Sequence, residues 1–256
     1  MPDLDNSIAV FIDYENLALG MTVNSGNRRK TLVQPEIGKV MERLLEKGRI
    51  IVKRAYCDWQ RFPEAVSSLH ALGVDLLEIP DNNQSGKNSA DIRLAVDAIE
   101  FCHNNAFVKT FVIVSGDSDF TPLVSRLKEN GKTVIGVGMR DSTSELLANN
   151  CDEFIFYEDI GLAEDAPPLP DGLPDGKRRA FELLIDGIEA LQREDVETMH
   201  SSMIKEAIRR KSPHFTETAH GYRSFTGLLE EAQDLGLIKM HKDERSGTWV
   251  VEGFNT

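Results

Sequence analysis

The chain has 256 residues, enough for one core of ordinary size and a smaller second domain. It is 41% hydrophobic and 28% charged, with no apolar run approaching the roughly 20 residues of a membrane span, and its net charge of −13 argues against nucleic-acid binding through a bulk basic field. Its three cysteines, Cys57, Cys102 and Cys151, lack CxxC spacing, which argues against a disulfide framework and against a cysteine zinc site.

The first ten residues carry acid rather than a basic leader, so the sequence predicts no targeting peptide and a cytoplasmic location. Ile8 to Ile12 is a short apolar strand ending in Asp13-Tyr14-Glu15-Asn16. Gly20 to Thr31 is polar and predicts a loop, and its Arg28, Arg29 and Lys30 are the best basic cluster of the first half. They are a candidate substrate contact, although such clusters commonly belong to solvated loops. From Pro35, apolar residues at helical spacing run to Gly48. A strand at Ile50 to Ala55, a helix at Pro63 to Leu72 and a strand at Val74 to Ile79 follow, an order that implies parallel strands with right-handed crossovers.

The turn-rich segment Pro80 to Asn88 leads into a helix over Ser89 to Cys102. Two apolar series on that helix, one with Ala90 and Leu94 and the other with Ile92, Val96 and Ile99, predict that it is well buried. Asp91 sits in its first turn, where an acid also suits the helix dipole. The apolar run Phe111 to Val114 then ends abruptly in Ser115-Gly116-Asp117-Ser118-Asp119, a buried strand with two carboxylates at its exit. Helices at Pro122 to Glu129 and Ser142 to Ala148 alternate with strands at Thr133 to Val137 and Glu153 to Tyr157.

Residues 163 to 176 hold four prolines and two glycines and mark the boundary between a domain at 1–162 and one at 177–256. The second part predicts helices over Lys177 to Leu191, Ser201 to Lys211 and Tyr222 to Leu235. A hairpin over Leu237 to Met240 and Thr248 to Val251 completes the outline of a winged helix.

In an open parallel sheet, functional groups collect beyond the carboxyl ends of the strands, where strand order reverses. With the first strand beside the Phe111–Val114 strand, Asp13, Asp117 and Asp119 emerge together, with Asn16, and the Ser89 helix brings Asp91 to the same edge. Carboxylates so gathered raise one another's pKa unless a cation joins them. Oxygen ligands with open positions suit Mg²⁺ or Mn²⁺, which serve phosphodiester hydrolysis.

DYEN at Asp13 to Asn16, GKNSADIRLAVDA at Gly86 to Ala98 and SGDSDF at Ser115 to Phe120 resemble the NYN domain, a PIN-like nuclease family that includes LabA-type bacterial proteins. The resemblance covers about residues 6 to 160. It implies a parallel sheet with helices on both faces, Asp13, Asp91, Asp117 and Asp119 as metal-binding acids, and Asn16 as an accessory polar group. Ser115 is then expected to orient the site or a substrate phosphate. Ser201 to Val251, with SSMIKEAIRRKSPHF and GYRSFTGLL, resembles an OST-HTH (LOTUS) domain, a family associated with RNA and in some members with protein partners. By that resemblance Arg209, Arg210, Lys211, Tyr222 and Arg223 supply phosphate contacts and stacking, although Tyr222 also reads as core and the Arg-Arg-Lys run as a helix end.

Together the two resemblances imply a metal-dependent ribonuclease acting on single-stranded or structured RNA, with no membrane partner. A homodimer and a protein partner of the C-terminal module are compatible with the sequence. A non-catalytic RNA-binding adaptor would keep the same acids. A haloacid dehalogenase-type phosphatase is disfavoured because Glu15 stands where that chemistry needs a second Asp.

Overall fold

Strands buried on both sheet faces must be apolar on both, and the first strand meets that condition along its whole length, with all seven residues of β1 (Ser7–Asp13) buried. The computed structural model describes residues 6–25, 29–32, 34–79, 89–160, 166–196, 198–243 and 247–255, with the backbone alone at 22–25 and 29–32. The chain divides into two compact units, Met1–Met41 with Gly48–Ile160, and Glu42–Lys47 with Gly161–Thr256.

The elements of the first part follow in the order β1, α1 (Tyr14–Gly20), β2 (Thr22–Ser25), β3 (Arg29–Leu32), α2 (Ile37–Lys47), β4 (Arg49–Cys57), α3 (Pro63–Ala71) and β5 (Asp75–Glu78). They continue as α4 (Ser89–Asn104), β6 (Thr110–Val114), α5 (Thr121–Glu129), β7 (Thr133–Gly138), α6 (Glu145–Asn150) and β8 (Glu153–Phe156). Six strands form one sheet in the order β5-β4-β1-β6-β7-β8, and every described pairing in it is parallel. The α/β architecture expected from the alternating pattern is therefore present, and strand order reverses between β1 and β6.

Side chains alternate along a strand, so Ala9 and Phe11 of β1 and Phe111 and Ile113 of β6 share one face. There they pack with Leu94, Ala98 and Cys102 of α4 and Leu123, Val124 and Leu127 of α5. Phe11 and Phe111 lie parallel, with centroids 6.1 Å apart, which ties the two central strands together on that face. Val10, Ile12, Val112 and Val114 alternate with them and are equally buried.

Two expectations change here. The polar stretch after α1 is not a simple loop, because Thr22–Ser25 and Arg29–Leu32 pair as an antiparallel ribbon. Helix α4 is not well buried all round: Ile92 and Val96 are 62% and 55% exposed, while Leu94, Asp97, Ala98 and Cys102 face inward. Both apolar series have helical spacing, and only packing decides which is covered.

The second unit contains α7 (Asp175–Arg193), β9 (Met199–His200), α8 (Ser201–Lys211), α9 (Phe225–Asp234), β10 (Ile238–Lys242) and β11 (Trp249–Phe254). Helices α7, α8 and α9 contribute to a core that includes Phe181, Ile188, Ile204, Ile208, Leu228 and, from β11, Val251. The expected hairpin is β10 with β11, and the two-residue β9 joins its free edge through Met199 and His200. Among the described residues, no helix is long and apolar enough to cross a membrane.

Candidate active site

The register between β1 and β6 pairs Ile12 with Val114, so the next residues, Asp13 and Ser115, leave the sheet side by side. Asp13 caps α1: one carboxylate oxygen accepts the Asn16 backbone N–H at 3.1 Å, and the other accepts the Ser115 hydroxyl at 3.1 Å. Asn16 returns the link, its side-chain oxygen accepting the Gly116 N–H at 2.9 Å. Asp117 then caps a 3-10 turn at Ser118–Phe120, accepting the Asp119 N–H at 2.9 Å while its own N–H donates to the Ser115 hydroxyl at 3.2 Å. A short polar lattice thus joins the two strand exits.

Burial separates these acids. Asp13 is 6% exposed, Asp91 and Asp117 are half-buried, and Asp119 is exposed. Asp13 is raised to about 7, first by burial and also by the charges of Asp91 and Glu15, against the two hydrogen bonds that lower it. Asp91 is raised to about 6 by burial and by Asp117, Asp119 and Glu15. Asp91 therefore feels Glu15 at the β1 exit and Asp117 and Asp119 at the β6 exit, and acts in turn on Asp13.

Among the described residues, no group of three or more His, Cys, Asp or Glu side chains is placed to hold one metal ion. By donor chemistry the acids still suit a hard divalent cation, since their donors are all oxygen, Asp119 is open to solvent, and Asp91 is raised in part by its acidic neighbours. Asp13 and Asp91, raised first by burial and then by neighbouring acids, are the groups a nearby dication would return to the charged form.

Ser115 is fully buried, so it positions Asp13 and the Asp117 backbone and does not reach a substrate phosphate directly. Arg28 lies outside the described residues, as do the side chains of Arg29 and Lys30, whose backbones pair with Ser25 and Asn24. In the second unit Arg209 and Arg223 are exposed and Arg210 is half-buried, whereas Lys211 is drawn into an ion pair with Glu46 of the same unit at 2.7 Å. Tyr222 is 7% exposed, edge-on to Phe181 with centroids 6.3 Å apart, so its ring is core and does not stack on a base.

Two further groups belong to this edge. Glu15 acts on both Asp13 and Asp91 and is ion-paired with Arg61, which follows the end of β4. Burial, with Glu15 and Asp13 beside it, also pushes up the thiol of Cys57 at the end of β4. Glu15 is not among the acids expected from the sequence, and its one signal there is its place in the same acidic turn as Asp13. Asp97, on the same helix as Asp91, is structural: it is 7% exposed, accepts from the Tyr56 hydroxyl at 3.0 Å and pairs with Arg93 at 2.8 Å.

The family model of the NYN domain matches residues 7–158. An uncharacterized protein of Methanocaldococcus jannaschii is 26% identical over 137 residues, spanning 54% of each chain. Proteins described as meiosis regulator and mRNA stability factor 1 match at 28% identity over 164 residues in Xenopus tropicalis and 27% over 168 in Mus musculus. Those matches cover 64% and 65% of this chain but 9% of the vertebrate proteins, and the chain spans about half the length of the archaeal one. A crystal structure of a Vibrio parahaemolyticus protein of unknown function superposes with a TM-score of 0.51 at 22% identity, over 62% of this chain and 97% of that one, a likeness of fold.

Proposed function

The chain belongs to the NYN domain family, and from that premise we propose that it is a ribonuclease of the PIN-like type that hydrolyses RNA phosphodiester bonds with Mg²⁺ or Mn²⁺. The observation that carries this reading is Asp91, acted on by Asp117 and Asp119 and acting on Asp13, where strand order reverses and the buried Asp13 is raised to about 7. Asp13, Asp91, Asp117 and Asp119 would hold the cation. When bound, it would supply charge neutralisation at the phosphate and a more acidic water. Asp13, fixed by Ser115 and Asn16, keeps one carboxylate orientation, and Asp117, half-buried, is capped onto its own turn through one carboxylate oxygen. RNA is the substrate favoured by the vertebrate relatives, which are described as mRNA stability factors.

The second unit is read as an RNA-holding module of the OST-HTH type, with exposed Arg209 and Arg223 as its phosphate contacts. The test is digestion of single-stranded and hairpin RNA by the purified full chain with Mn²⁺, Mg²⁺ or EDTA, comparing wild type with Asp117→Asn. We expect metal-dependent cleavage that falls by at least about a hundredfold in the variant. Equal activity in both proteins would assign the cleavage to a contaminant. RNA binding without turnover would favour the adaptor.

A further inference from the structure

Beside the acid cluster, on the β7 side, lies an open cleft of about 310 Å³. One wall is Asn16, Gly116 and Ser118, the other is the segment Asp141–Ser144 that follows β7, and Asp117 stands at the edge shared with the acids. The second wall is fixed. Gly116 accepts the Ser144 N–H at 2.9 Å, Thr143 donates its hydroxyl to the Met139 carbonyl at 2.6 Å, and a Cβ on Gly116 would lie 2.9 Å from the Ser142 carbonyl oxygen.

Among the described residues, the lining has two carboxylates, Asp117 and Asp141, a run of hydroxyls and no Lys, Arg or His. A phosphate there would be repelled, whereas a group rich in hydroxyl donors would be accepted. Among the described residues, the half-buried Ser118 and the exposed Ser142 and Asp141 have no side-chain hydrogen bond or ion pair, and that capacity faces the cleft they line. A carboxylate beyond the strand ends of an α/β sheet is suited to accepting from a ribose hydroxyl, and the 2′-hydroxyl is the group that separates RNA from DNA.

We infer that this cleft is a ribose subsite: it holds the nucleoside next to the scissile phosphate, with Asp141 accepting its 2′-hydroxyl and Ser118 contacting the same sugar. The inference takes its substrate from the ribonuclease reading, but its test does not depend on turnover. A short fluorescein-labelled RNA strand and a series carrying one 2′-deoxynucleotide at each position are bound to the full chain in EDTA, then digested with Mn²⁺. Wild type, Asp141→Asn and Ser118→Ala are compared.

In wild type, one position of the strand should lose roughly tenfold or more in binding on 2′-deoxy substitution. In Asp141→Asn that discrimination should fall toward onefold, and in Ser118→Ala it should fall part of the way. Positional discrimination that disappears in Asp141→Asn, without cleavage by wild type, would support the subsite and sink the nuclease. Asp117-dependent cleavage with the same discrimination in wild type and Asp141→Asn would overturn the subsite and leave the nuclease standing. Absence of both cleavage and positional discrimination would overturn both.

Discussion

Ser115 and Asp13 lie 102 residues apart in sequence and meet as neighbours across the β1–β6 seam, the hydroxyl donating to the carboxylate at 3.1 Å with both side chains buried. That bond opposes the burial that raises Asp13. Ser115→Ala should therefore raise Asp13 further and move the acid limb of the pH–activity profile upward by about one pH unit. A merely structural serine would lower the melting temperature, by an amount matching about 1 kcal/mol, and leave the profile in place.

Asp13 also sets a pH dependence of stability. Its carboxyl is at about 7 in the fold against 3.8 for the free group, so the folded chain binds the proton more tightly. Its contribution is fully favourable below about pH 4 and is lost as pH rises through 7. In EDTA, wild type should melt at lower temperature at pH 8 than at pH 5. Asp13→Asn should flatten that difference and gain on the order of 1–3 kcal/mol at pH 8 while losing cleavage. A variant less stable than wild type at pH 8 would refute this account. Adding Mn²⁺ should stabilise wild type more at pH 8 than at pH 5, and the variant hardly at all.

Gly116 tests how the cleft wall is held. A Cβ there would meet the Ser142 carbonyl oxygen, Thr143 Cα and Thr143 Oγ1, each at 2.9 Å. Gly116→Ala should cost about 1–3 kcal/mol and reduce kcat/KM on RNA by displacing the Asp141–Ser144 segment. Gly131→Ala is the control. Its Cβ meets nothing within 4 Å, yet φ is +70°, so it should cost about 1 kcal/mol through strain and leave activity unchanged.

In the C-terminal unit, Tyr222→Ala should destabilise by about 3–5 kcal/mol, because the ring is 7% exposed and packs on Phe181. Arg223→Ala and Arg209→Ala should leave the melting temperature within about 1 kcal/mol of wild type and reduce the salt dependence of RNA affinity. Calorimetry and binding across a salt series separate the two effects. Weakened RNA binding by a fully folded Tyr222→Ala would restore the stacking role.

Much of the first part was legible because buried parallel strands need unbroken apolar runs, and β1 and β6 have them, ending at Ile12 and Val114. Asp13 stands out because it follows such a run directly, and Asp117 because only Ser115 and Gly116 separate it from one. The ribbon at Thr22–Ser25 and Arg29–Leu32 was not legible, since its residues are mostly polar and its pairing is local backbone hydrogen bonding. Ile92 and Val96 misled because periodicity reports an apolar stripe and not what covers it. The Glu15–Arg61 pair and the cleft beside Asp117 arise from crossovers that bring distant loops to one edge. Tyr222 beside Arg223 reads as a surface motif until helix packing turns one inward and the other outward.

The backbone contact between Gly116 and the segment after β7 has an evolutionary consequence. Spacing between the two walls is set by main-chain atoms and glycines, while Asp141 and Ser142 on the outer wall are exposed. Descendants of this chain could exchange those outer side chains, and with them the sugar or base they admit, without moving the acids by an ångström. Recognition would drift while the chemistry stayed where it is.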